Sequence, residues 1–306
     1  METVVDLMSG DNYGVRDAVI ECADQYLSPG DLNTLVDHMW ERTEKAPDEY
    51  RGRNWLFAIE SIARQIKDPA LFEKARRRSW GELSVAAFLD IAQVHFDAGD
   101  PQSALEWLQK AKATDTFKQY ERDELMLKIL EALGDHEQAG IQAELMFDRG
   151  RTRESLDRLL AIVGKENKPA IIEEACNAIS SQDNFSSGDT EFLLDVGCLE
   201  DAEEHVLRFS DQMNGRLYTS LLPIATTLAK RKRRLAASMV YRALLESILA
   251  RGVSKYYTHG VRYLRKLDKL AGKIDDWHGY LSHAAYMAQL KEDHGRKRSF
   301  WSRYEA

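Results

Sequence analysis

Residues 88–113 read FLDIAQVHFDAGDPQSALEWLQKAKA. Apolar and small side chains recur three and four positions apart on both sides of Gly99-Asp100, the pattern of two short amphipathic helices meeting at a tight turn. Glycine permits the turn between them. The same arrangement returns farther along. Gly99-Asp100-Pro101-Gln102-Ser103-Ala104 is echoed by Gly134-Asp135-His136-Glu137-Gln138-Ala139 and, more weakly, by Gly197-Cys198-Leu199-Glu200-Asp201-Ala202. Ala237 continues the spacing inside another helical pattern. Each alanine is expected where a second helix must approach the first closely.

The rest of the chain reads the same way. Ser28-Pro29 and Asp68-Pro69 mark helix starts, and Ser84 opens the helix that leads into the quoted stretch. Leu32, Leu35, Val36 and Met39 form one apolar stripe, and Trp55, Ile59, Ile62, Ala63 and Ile66 another. Residues 180–189, SSQDNFSSGD, read as a loop. The last helix is expected from about Asp276 to Leu290. No useful run alternates with period two, and with 18 glycines and 6 prolines in 306 residues turn-formers are scarce. The expected fold is all-α: one helical-repeat domain over residues 1–306, with a subdivision into 1–179 and 190–306.

These units resemble tetratricopeptide (TPR) repeats, whose period is about 34. Ile91, Ala92, Gly99, Ala104, Leu108 and Ala111 occupy the small and apolar positions of that motif, as do Met126, Leu127, Gly134, Ala139, Ala143 and Met146. The chain departs from the motif in having no proline at the end of either unit and His95 or Leu130 at the usual tyrosine. The resemblance implies a right-handed α-α superhelix of irregular hairpins. A narrower likeness rests on Tyr13-Gly14-Val15-Arg16-Asp17, Tyr241-Arg242-Ala243-Leu244-Leu245, His259-Gly260-Val261-Arg262-Tyr263-Leu264 and the tail Arg296-Lys297-Arg298-Ser299-Phe300-Trp301. Together these resemble an uncharacterised bacterial helical-repeat family, related to the helical part of some SWIM zinc-finger proteins. The CxC and CxH pairs of that finger are absent, so no zinc role carries over.

Composition excludes several classes. A formal charge of −8 gives no global footprint for nucleic acid. No apolar run approaches the ~20 residues that span a bilayer, and the N-terminus lacks the pattern of a signal peptide. Cys22, Cys176 and Cys198 are scattered and odd in number, which fits a reducing cytoplasm and offers neither a disulfide framework nor a CxxC metal site. No Walker loop, GxSxG elbow or HExxH pair occurs. No cofactor and no enzymatic activity are expected.

The leading functional expectation is a scaffold that binds a protein or peptide. In the TPR frame its outward lining is Leu89, Gln93 and Phe96 from one helix and Glu121, Glu124, Lys128 and Glu131 from the next. That lining is slightly acidic and favours a partly basic or amphipathic partner. A second expectation is contact with phosphates or nucleic acid through Lys230-Arg231-Lys232-Arg233-Arg234 and through Arg296, Lys297, Arg298 and Arg303, provided the two clusters share a face. Docking of the terminal aromatics onto the protein itself is the competing account of that tail. A third is a metal or hydrolytic site near His259, His278, His283 and His294, requiring at least three of them to converge.

Overall fold

The computed structural model describes residues 15–46, 48–111 and 116–306. Tyr13 and Gly14 of the family-like patch, and Lys112 and Ala113 of the opening stretch, lie outside them. The described residues form seventeen α-helices joined by short turns and three 3₁₀ turns, with no strand. None of these helices is long and apolar enough to cross a membrane. The chain divides into two compact units between Gln142 and Ala143.

The first unit contains α1 (Val15–Glu21), α2 (Pro29–Glu44), α3 (Glu49–Gln65), α4 (Pro69–Trp80), α5 (Val85–Asp97), α6 (Pro101–Leu108), α7 (Gln119–Leu133) and the start of α8 (His136–Arg149). From α2 to α7 each helix packs on the next, and α1 and α5 also reach the next but one. Ser28, Asp68 and Ser84 cap as expected and Asp100 caps as well, each side chain accepting from the backbone N–H three residues on. Leu32, Leu35, Met39, Ile59 and Ile62 fill one core cluster. Ala63, Phe72, Ile91, Leu108 and Ile129 fill a second.

The second unit contains the rest of α8, α9 (Arg153–Val163), α10 (Lys168–Ser180), α11 (Ser187–Val196), α12 (Leu199–Arg208), α13 (Tyr218–Lys230), α14 (Arg234–Arg251), α15 (Tyr257–Ala271), α16 (His283–His294) and α17 (Arg298–Glu305). Helix α14 packs against α12, α13 and α15 and buries side chains all round, as a helix apolar on every face must. Residues 180–189 lie within this unit and do not divide it. Arg208 donates to the carbonyls of Ser180 and Gln182, and Gln212 accepts from the Phe185 N–H. The last long helix starts at His283 rather than near Asp276. Ser282 caps it, and the left-handed backbone of His278 and Gly279 rules out helix before it.

One turn recurs through both units. A residue with positive φ follows a helix, and the N–H of the next residue bonds to the carbonyl five positions back, closing a Schellman turn. Asp68 N–H reaches Ala63 (2.9 Å), Asp100 reaches His95 (3.0 Å), Asp135 reaches Leu130 (3.0 Å), Cys198 reaches Leu193 (2.9 Å) and Arg233 reaches Leu228 (2.9 Å). The left-handed residues are Lys67, Gly99, Gly134, Gly197 and Lys232. Five positions after each stands a side chain with no solvent exposure: Phe72, Ala104, Ala139, Ala202 and Ala237. The repeat therefore includes two turns closed by lysine. An L-residue there costs roughly 1–2 kcal/mol, partly offset because glycine loses more entropy on folding. Lys67→Gly and Lys232→Gly are each expected to raise stability by up to about 1 kcal/mol in urea unfolding.

The first unit also buries an ionic network. Arg76 pairs with Glu60 (2.9 Å) and Asp90 (3.0 Å), and Arg64 pairs with Asp90 (3.3 Å). Burial lifts the Glu60 carboxyl to about 7 despite Arg76 and Arg64, which pull it down. The folded chain then holds a proton that the unfolded chain releases at lower pH, so this group's contribution to stability falls as pH rises from about 4.5 to about 7. Glu60→Gln removes that ionisation. It should unfold at a higher temperature than the parent at pH 8, by an amount on the order of 2 kcal/mol, with the gap closing at pH 5.

Candidate functional site

An open hollow lies in the second unit, along one face of α14. Met239, Arg242, Ala243, Glu246, Ser247 and Ala250 follow helical spacing down a single stripe and form its floor. One wall is the segment from Ser210 to Arg216, and the other is made by Tyr280, Leu281, Tyr286 and Gln289. The cleft has a volume of about 640 Å³, within the size range of ordinary ligand pockets.

Both walls are fixed by local chemistry. The Tyr280 hydroxyl donates to the Leu207 carbonyl (2.8 Å), tying the segment before α16 to the end of α12. The loop after α12 approaches α14 so closely that a Cβ on Gly215 would collide with the Ala243 carbonyl and the Ser247 side chain. Arg242 sits in the middle of the floor and is 7% exposed. One of its terminal nitrogens donates to the Leu281 carbonyl (2.9 Å), and its guanidinium lies over the rings of Trp277 (4.9 Å) and Tyr286 (4.3 Å). Its Nε is buried without a hydrogen-bond partner. Glu246, on the same stripe of α14, interacts with Arg242 and with the Tyr286 hydroxyl, and burial together with that carboxylate holds the Tyr286 phenol well above its usual pKa, so it stays a neutral donor. The unmade bond at Nε leaves a desolvation cost of about 1–3 kcal/mol for an acceptor to relieve. Exposed Arg216 and Arg251 stand at the rim.

The residues singled out from the sequence are distributed otherwise. Leu89 belongs to the second core cluster of the first unit and Phe96 packs against it, while Gln93 is half-buried and donates to Asp97 (2.8 Å). This corrects the expectation that Leu89 and Phe96 line an open surface: α5 is covered by α4, α6 and α7 together, so its second face is also enclosed. Glu121, Lys128 and Glu131 are exposed and Glu124 is half-buried.

The basic residues form two separate patches. Lys230, Arg231 and Lys232 are exposed on the turn between α13 and α14. Arg233 pairs with Glu200 and Glu203, and Arg234 donates to the Lys273 carbonyl (3.0 Å). Lys297 lies beside Gly252 at the far end of α14, and Arg303 donates to the Ser254 carbonyl (3.1 Å). The 18 residues of α14 separate the two groups by about 27 Å. Arg296 and Arg298 are exposed. The aromatics of the tail dock on the protein: Phe300 has no exposure, Trp301 donates to the His294 carbonyl (2.9 Å), and Tyr304 donates to Asp268 (3.0 Å).

The four histidines also have separate partners. His283 meets Asp268 (2.8 Å), His278 meets Asp276 (3.2 Å), His259 is exposed, and His294 is lowered in pKa by burial and Lys297. His205, by contrast, is buried between Phe185 and Phe209 and accepts from the Ser186 N–H (3.2 Å). The structure instead brings Cys176, Cys198 and Asp201 together, with one ligand-type atom from each within 4.8 Å of the others. Burial, with Cys198 beside it, pushes the Cys176 thiol up to about 12.

Gly215→Ala tests the wall of the cleft. The added methyl meets backbone rather than a movable side chain, so a loss of about 1–3 kcal/mol in urea unfolding is expected. Gly272→Ala, where nothing lies within 4 Å of the new methyl, should be neutral.

No curated protein and no solved structure matches the chain. A family of unknown function, DUF6880, matches residues 51–303, which takes in the first unit from residue 51 onward and nearly all of the second. The chain belongs to that family.

Proposed function

We propose that this protein is a non-enzymatic helical-repeat scaffold that binds a peptide segment of a partner protein in the cleft along α14. In this reading the hairpins wind as a right-handed, TPR-like superhelix, and the recurring Schellman turns are the support for it. Three free thiols suit a reducing cytoplasm. The observation that carries the binding role is the buried Arg242 beneath an open cleft, with its Nε lacking an acceptor. Three arginines line the cleft against two acids, Asp211 and Glu246, while Met213, Met239 and Leu281 add apolar wall. The fitting partner is an amphipathic segment carrying an acidic side chain, which a guanidinium takes with a charge-assisted bond.

A second reading rests on Lys230, Arg231 and Lys232, exposed together on one turn. That patch can meet phosphates, but Arg233 and Arg234 are engaged within the protein and the tail cations lie at the other end of α14. It supports local contact rather than a continuous track.

Selection of random 15-residue phage-displayed peptides on the intact protein tests the main reading. Enriched peptides should carry Asp or Glu between apolar residues. Their affinity, read by fluorescence anisotropy, should fall about tenfold or more in Arg242→Met, and also in Arg216→Glu, which changes only the exposed rim. Absence of enrichment, or peptides indifferent to both variants, would overturn it; salt-sensitive oligonucleotide binding lost in Lys232→Glu would favour the second reading.

A further inference from the structure

At two of the five Schellman turns the next residue is not aspartate: Arg233 follows Lys232, and Cys198 follows Gly197. After Lys67, Gly99 and Gly134 that residue is aspartate, and Asp68, Asp100 and Asp135 each accept from a backbone N–H at the start of the following helix. After Gly197 it is Cys198, which makes no side-chain cap. Its sulfur is turned instead towards Cys176 on α10, the helix packed against α12. Asp201, one turn into α12, completes a cluster in which all three ligand atoms lie within 4.8 Å. All three residues are partly buried, so the cluster is sheltered yet reachable from solvent.

We propose that Cys176, Cys198 and Asp201 form a binding site for a thiophilic divalent cation of the zinc class. Two thiolates and a carboxylate are a donor set that selects zinc-like ions over calcium or magnesium, which prefer oxygen alone. Zinc–sulfur bonds of about 2.3 Å place the two sulfurs of a tetrahedral site about 3.8 Å apart. The observed limit of 4.8 Å between the ligand atoms is close to that separation. Capture releases one proton from each thiol to solvent and leaves a site with two thiolates, one carboxylate and a fourth position for water. The site is formed by one turn of the repeat and the helix beside it, so an ion there clamps α10 to the start of α12.

Cobalt(II) titration of the full-length, metal-stripped protein under a non-thiol reductant tests the site. The expected result is one equivalent bound, with thiolate-to-cobalt charge-transfer absorption in the near ultraviolet that zinc displaces. The band should vanish in Cys176→Ser and in Cys198→Ser and remain in Cys22→Ser. Asp201→Asn should weaken binding by about tenfold or more. Circular dichroism of each variant separates loss of the site from loss of the fold, and native mass spectrometry of the parent with zinc supplies a stoichiometry independent of the absorption. No charge-transfer band in the folded parent, or a band that survives removal of either cysteine, would overturn the proposal.

Discussion

A single hydrogen bond, from the N–H after a left-handed residue to the carbonyl five positions back, sets the geometry on which the helical pairs depend. It ends one helix and starts the next within two or three residues, leaving little slack for the angle between them. Once that angle is fixed, the position five residues on is driven against the preceding helix. Four of the five examples place alanine there, because a larger side chain would force the helices apart, and the fifth places Phe72 in a core cluster. Backbone hydrogen bonding thus selects side-chain size, and side-chain size permits the packing.

The cleft along α14 arises from this packing. A helix covered by α12, α13 and α15 can present a concave floor only where its neighbours part, and they part at the loop after α12 and before α16. Placing Arg242 on that floor is costly for folding. Aromatic rings, the Leu281 carbonyl and the nearby Glu246 meet part of the cost, and Nε is left without a hydrogen-bond partner. A residue whose hydrogen bonding is incomplete at the base of an open cleft is better explained by what binds there than by what it does for the core.

Much of the fold was legible in the chain. The caps at Ser28, Asp68 and Ser84, the close-packed alanines and the glycine turns all stem from residue type and spacing. The positive φ of Lys67 and Lys232 was not legible, since nothing about a lysine announces it; the flanking Asp68-Pro69 was the visible part of the first turn. The outward face assigned to Leu89 and Phe96 failed because a repeat frame does not reveal that α7 also covers α5. The cleft was hidden for a different reason: its walls come from segments far apart in sequence, and only the regular spacing of Met239, Arg242, Glu246 and Ala250 lay in one stretch. Cys176 and Cys198 looked unrelated because a full helix and its turn separate them along the chain.

The two lysine turns give the molecule an order of weakness. A turn closed by glycine rests in a backbone state that costs it little, whereas one closed by lysine begins partway to release. Local opening draws first on such points. The repeat therefore carries preferred hinges at these two turns, before α4 and before α14. The second adjoins the helix that floors the cleft, so the segment that supports Arg242 is also the one with the easiest route to a small change of angle.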